Sequence, residues 1–158
     1  MIRPARPEDA PAIAAIWNPV IRDTAITFES VEKTPADITT LIAARPAFLV
    51  AEEAEGIAGF ATYGQFRGGT GYDRTMEHTV ILGPGARGRG LGRALMAAIE
   101  DHARAGGAHT IFAGVSADNA PGVAFHAALG YRTVARLPEV GWKFGRWMDL
   151  VLMQKTLA

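Results

Sequence analysis

Apolar residues recur along the chain with two periods, and the switches between them mark its elements. Residues 2–4 read as a short strand, and Pro7, Glu8 and Asp9 suit the acidic, proline-tolerant first turn of a helix. Ile13, Ile16, Trp17, Val20 and Ile21 share one face of that helix, and Pro19 is expected to kink or end its regular part. A second helix is predicted over 35–44, with Ile38, Leu41 and Ile42 as its buried side and Arg45-Pro46 as its stop. Strands follow at 48–52, 57–66 and 75–82, the first two joined by an acidic turn containing Gly56. From 91 to 105, Leu91, Leu95, Ala98, Ile99 and His102 form an apolar helical stripe, while Arg93, Glu100 and Arg104 take the other side. Gly106-Gly107 ends this helix, 110–115 is a strand, and Asn119 caps a short helix running through Ala128. Closing strands are expected at 131–137 and 147–153. Without repeat, low-complexity segment or linker, the order βαα, three strands, then αβαββ predicts one mixed α/β domain over 1–158.

Composition narrows the function classes. Sixteen basic against sixteen acidic residues leave no net charge, so the bulk electrostatics favour neither nucleic acid nor an anionic membrane. The absence of cysteine removes disulfides, thiolate metal sites and a cysteine nucleophile. Charges and prolines in the first nine residues do not suit a secretory signal, and no run approaches the ~20 apolar residues of a membrane span; a cytoplasmic protein is expected. His78, His102 and His109 lack the spacing of a ligand set, so no metal is expected. Eighteen glycines in 158 residues are about 11%, against a typical ~7%, and they cluster between Gly64 and Gly92.

Within that cluster, residues 79–92 run from an apolar strand through a glycine-rich turn into an amphipathic helix, the arrangement of a strand-loop-helix anion site. Three readings compete. Gly83-x-Gly85-x-x-Gly88 matches a dinucleotide fingerprint, but Asp101, at the spacing of its acidic residue, lies inside the helix, and Pro84 interrupts the turn. A plain turn with two solvated arginines, Arg87 and Arg89, is the second. The third is capture of the pyrophosphate of a coenzyme A arm.

Arg87-Gly88-Arg89-Gly90-Leu91-Gly92 resembles the Arg/Gln-x-x-Gly-x-Gly/Ala signature of the Gcn5-related N-acetyltransferase (GNAT) superfamily. Further segments resemble its phosphinothricin and methionine sulfone acetyltransferase branch: residues 17–22 with 27–29; Phe66-Arg67 with Tyr72, Thr75 and Glu77; Asn119 with His126, Leu129, Gly130 and Tyr131; and residues 139–147 with Asp149. The resemblance implies a twisted, mostly antiparallel sheet of about six to seven strands flanked by about four helices, acetyl-CoA as cosubstrate, and a homodimer. It departs at Gly69, where many members carry a second arginine; Arg74 offers a replacement charge from the same loop.

Acetyl transfer to an amine needs a base, a proton for the departing thiolate, and a docked thioester. Glu77 sits within the apolar 75–82 strand, where partial burial would raise its pKa toward that of a useful base; the resemblance assigns it that role, and a surface carboxylate is the rival reading. His126 stands where the superfamily often places a tyrosine, and an imidazolium there could protonate the thiolate. Tyr131 is read as structural. For the cosubstrate, the resemblance points to the backbone of Val80, Ile81 and Leu82, to Arg87, Gly88, Arg89, Gly90, Leu91, Gly92 and Arg93, and to Asn119. Phe28, Arg67, Tyr72, Arg74, His78, Thr79 and Lys143 are candidates to hold the acceptor, solvated surface being the alternative for the charged ones. The expected activity is acetylation of a small amino acid or analogue by direct attack. The alternatives are a polyamine or protein N-terminus as acceptor, or a non-catalytic acyl-CoA sensor.

Overall fold

The computed structural model describes residues 1–157. Strand β1 (Ile2–Pro4) leads through a 3-10 turn at Pro7–Asp9 into helix α1 (Ala10–Asp23). Helix α2 (Pro35–Ala44) follows, then strands β2 (Ala47–Glu53), β3 (Gly56–Gln65) and β4 (Thr75–Leu82). Helix α3 (Leu91–Ala105), strand β5 (Thr110–Ser116), helix α4 (Ala120–Ala128) and the hairpin of β6 (Arg132–Lys143) and β7 (Arg146–Thr156) complete the described residues. The strands form one sheet in the order β1-β2-β3-β4-β5-β7-β6. Among the described residues only β4 and β5 pair in parallel; the remaining pairs are antiparallel.

Alternation in the strands supplies two apolar faces. On one, Ala51, Ala61, Ile111, Ala113 and Met153 pack against Leu95, Met96, Ile99 and Ala103 of α3. On the other, Phe48, Val50, Phe60 and Ile81 meet Ile13, Ile16, Trp17 and Ile21 of α1 and Ile38 of α2. Helix α2 starts on a reciprocal cap: Thr34 Oγ1 accepts from Asp37 N at 3.1 Å, and Asp37 Oδ2 accepts from Thr34 N at 2.8 Å.

Three expectations change. Helix α1 runs through Pro19 to Asp23. Proline removes one N–H, but the carbonyl one turn back belongs to exposed Ala15, where water can take it, while buried Trp17 and Ile21 anchor the helix on either side. Glu100 is buried rather than on the polar side of α3, and His102 is exposed rather than on its apolar stripe, its Nδ1 2.7 Å from the Tyr63 hydroxyl. The closing strands are longer than predicted and carry register shifts in β6 between Thr133 and Ala135 and between Leu137 and Gly141, irregularities that obscured their alternation.

No helix among the described residues is long and apolar enough to cross a membrane.

Candidate active site

The parallel pairing of β4 with β5 stops at His78 and Ala113, whereas β3 stays paired with β4 as far as Leu82. Beyond residue 78 the two central strands diverge, leaving the β5-facing edge of Thr79–Leu82 without a strand partner among the described residues. Two clefts open into this wedge, one of about 450 Å³ toward α3 and α4 and one of about 250 Å³ toward α1. They meet at Ile26, Val80, Ile81, Asn119 and His126, which line both.

Leu82, Arg87, Gly88, Gly90, Leu91, Gly92 and Arg93 join Val80, Ile81 and Asn119 around the larger cleft. Gly90 precedes α3 at φ 81°, a conformation that a side chain would strain, and no side chain caps the helix. The amides of the first turn are therefore available to an anion, and Arg87 and Arg93 add charge beside them. Asn119 caps α4, its Oδ1 accepting from Gly122 N at 3.0 Å. An uncapped helix start beside an unpaired strand edge fits a ligand with a diphosphate and an extended amide arm. Arg89 does not join this group. Its guanidinium makes a two-pronged contact with Glu53 at 2.6 and 3.1 Å.

The smaller cleft is lined by Glu77, His78, Thr79 and Phe28. Glu77 projects from the sheet between Gly64, its register partner on β3, and Gly114 of β5. Burial raises its pKa, and the Arg45 cation opposes the rise. Arg45 reaches this face because position 64 has no side chain: a Cβ there would stand 2.6 Å from a guanidinium nitrogen. Arg45, read from the sequence as part of a helix stop, was not expected in the site, and neither were the wall residues Trp17, Thr27, Ser116 and Leu150. The one available signal was the pair of glycines that flank Glu77, and they become neighbours only once the register is known.

His78 and His126, both buried, stack with ring centroids 5.0 Å apart and planes at 26°. His126 Nδ1 lies 2.8 Å from the carbonyl oxygen of Gly122. A carbonyl only accepts, so this nitrogen carries the hydrogen, and in the neutral ring Nε2 is a bare lone pair. Burial holds His126 below its ordinary pKa against the opposing effects of that hydrogen bond and of Glu100. Burial next to His126 takes His78 down to about 3. Burial thus favours the neutral ring, whose Nε2 is an acceptor; to serve as the proton donor expected from sequence, His126 must first gain a proton. Tyr131 donates its hydroxyl hydrogen to Glu100 Oε2 at 2.9 Å, consistent with a structural part.

The remaining acceptor candidates lie outside the clefts. Arg67, Tyr72 and Arg74 are exposed on the β3–β4 loop, with the Arg67 guanidinium 5.8 Å from the Tyr72 ring centre. Gly69 in this loop sits at φ 110°, so the backbone as folded disfavours any side chain there. Lys143 is buried, its ammonium donating to the carbonyls of Thr24 and Thr27 at 2.7 and 2.8 Å. It braces the segment that carries Phe28. The Phe28 ring is also pinned against Gly141, where an added Cβ would fall 2.5 Å from it. Among the described residues, no group of three His, Asp or Glu side chains is placed to hold a metal.

Comparison with known proteins agrees with this geometry. Residues 2–152 match the acetyltransferase (GNAT) domain model. The L-methionine sulfoximine/L-methionine sulfone acetyltransferase of Pseudomonas aeruginosa is 38% identical, the match covering 99% of this chain and 94% of the relative. The phosphinothricin N-acetyltransferase of Streptomyces coelicolor is 34% identical over 99% of this chain and 95% of its own length. A Salmonella typhimurium protein solved with its cofactor acetyl-CoA superposes with a TM-score of 0.95 at 36% identity, covering 100% of this chain and 94% of that one. The fold, the wedge between β4 and β5 and these likenesses place the chain in the GNAT family, as an N-acetyltransferase that uses acetyl-CoA.

Proposed function

We propose that residues 1–158 act as one domain that acetylates the primary amine of a small amino acid or analogue of the methionine sulfone, methionine sulfoximine or phosphinothricin type. The observation that carries this reading is the meeting of two clefts at the free edge of β4, with Glu77 in the smaller one. A space of about 250 Å³ suits an acceptor of amino-acid size better than a polyamine or peptide. The relatives named for such acceptors support the choice.

Acetyl-CoA supplies the activated acetyl group. The strand edge at Val80–Leu82 and the amides at the start of α3, with Arg87 and Arg93, hold it. Glu77 takes a proton from the acceptor ammonium, directly or through one water, and its raised pKa brings it nearer the working pH. Neutral His126 accepts the second proton from the attacking nitrogen at Nε2 and returns it to the departing sulfur. One proton is released from Glu77 per turnover, which balances the reaction. The sequence offers no cysteine for an acyl-enzyme, and direct attack fits.

The protein works in the cytoplasm as a homodimer. Exposed Val140, Trp142, Phe144 and Trp147 cluster at the tip of the β6–β7 hairpin, an apolar patch suited to a second copy. A thiol-release assay with methionine sulfone, methionine sulfoximine, phosphinothricin, spermidine and a short peptide tests the acceptor class. Saturable turnover confined to the amino-acid analogues is expected; turnover confined to spermidine or peptide would overturn it.

A further inference from the structure

A polar chain, buried at Glu100 and Tyr131 and partly exposed at Lys155, backs onto the two imidazoles from the α3 side of the sheet. Lys155 Nζ of β7 donates to Glu100 Oε1 at 2.6 Å, and Glu100 Oε2 accepts from the Tyr131 hydroxyl at 2.9 Å. The Tyr131 ring then meets both histidines nearly at right angles, with centroids 5.3 Å from His126 at 85° and 5.7 Å from His78 at 70°. Phe125 is the other ring against His126, at 5.1 Å, and forms no such pair with His78.

What makes this contact consequential is how little else fixes the imidazoles. Among the described residues, both nitrogens of His78 and Nε2 of His126 have no hydrogen-bond partner. Buried polar atoms are normally paired, and these three orphans lie on His126, which lines both clefts, and on His78, which lines the smaller one. Hydrogen bonding fixes His126 at Nδ1 alone and His78 not at all, so packing must set how the lone pair of Nε2 is aimed. Tyr131 is the ring that packs on both, and its far end is locked by an ion pair.

We propose that Tyr131, anchored by the Glu100–Lys155 pair, is a positioning residue for acetyl transfer, holding His78 and His126 so that Nε2 of His126 faces the reacting centre. The inference rests on the proposed role of His126 in proton transfer. His126 faces His78 from β4, Glu100 from α3 and Tyr131 from the turn after α4, with Lys155 behind Glu100; Glu77 and Glu29 line the smaller cleft with it, and Arg87 and Arg93 the larger. The charge of Glu100 favours the protonated ring. The anchor therefore acts mechanically through Tyr131, and Glu100 also acts electrostatically on His126.

The test uses the full-length chain, with acetyl-CoA and the best acceptor from the thiol-release panel. Turnover is read alongside the 15N resonances of labelled histidine across pH. Tyr131→Phe keeps the ring and cuts its anchor: kcat is expected to fall roughly ten- to a hundredfold, as small misplacements of reacting groups do, with the KM for acetyl-CoA little changed and the His126 resonances displaced. Glu100→Gln keeps an oxygen for Tyr131 but removes the charge, so the His126 titration and the limb of the kcat profile that follows it move to lower pH. Lys155→Gln loosens the anchor from a half-exposed position without touching the ring, and the same displacement of His126 is expected if Tyr131→Phe fails to fold. Unchanged kcat and unchanged histidine resonances in the folded variants would overturn the positioning role. Full turnover in His126→Gln would instead overturn the proton-transfer reading beneath it, a result distinct from any change in the resonances.

Discussion

Lys143→Met tests the finding that this lysine braces the cleft and does not bind the acceptor. The wild-type ammonium makes two charge-assisted hydrogen bonds, 2.7 and 2.8 Å long, to the carbonyls of Thr24 and Thr27. Each such bond contributes about 1.5–3 kcal/mol net, so the two together are worth roughly 3–6 kcal/mol. Against this stands the recovered cost of burying the charge, the same desolvation that lowers the pKa of Lys143. Methionine fills most of the space but leaves two carbonyls without their donor. A net loss of about 2 kcal/mol follows, or about 4–8 °C in Tm for a chain of this length. The freed 24–29 segment carries Phe28, so the acceptor KM should rise several-fold while the KM for acetyl-CoA holds. Thermal and urea unfolding read the first effect, and steady-state kinetics the second. Unchanged stability, with a selective loss of activity toward anionic acceptors, would refute the reasoning and return Lys143 to the acceptor.

Other outcomes follow from the same geometry. Glu77→Gln should lower kcat by about 10²–10⁴ and leave acetyl-CoA affinity unchanged by calorimetry. Because the folded pKa of Glu77 is raised, the native state binds more protons than the unfolded chain between the ordinary carboxylate value and that raised value. Wild-type stability therefore falls as pH rises through that window, and Glu77→Gln should be the more stable protein at pH 7, with the gap closing in acid. Arg45→Met removes the cation that opposes the rise, so the acid limb of kcat/KM should move to higher pH; a limb that stays put would disconnect Arg45 from Glu77. Asn119→Ala removes the cap of α4 and should cost about 0.5–2 kcal/mol in urea unfolding even without acetyl-CoA.

Local physics made much of the fold legible. Helices α2 and α3 and strand β4 have the limits expected from apolar spacing, because their caps and stops lie within a few residues of their ends. The strand-turn-helix segment around residues 79–92 could be read for the same reason. What escaped depends on partners far away in the chain. Glu100 looks like a surface residue until Tyr131 and Lys155 arrive, 31 and 55 positions later. Arg89 turns to Glu53, 36 residues back, and Lys143 to Thr24 and Thr27, 119 and 116 residues back. Arg45 becomes relevant only when the β3–β4 register sets Gly64 beside Glu77. The protonation of His126 depended on burial and on one carbonyl contact, neither of which spacing reveals.

The most direct test of the central claim is the initial-rate pattern of thiol release with acetyl-CoA and methionine sulfone both varied. Two clefts joined at the edge of β4 let both substrates bind before transfer, which predicts a family of intersecting double-reciprocal lines. Parallel lines, the mark of an acetylated enzyme intermediate, would contradict direct attack in a ternary complex.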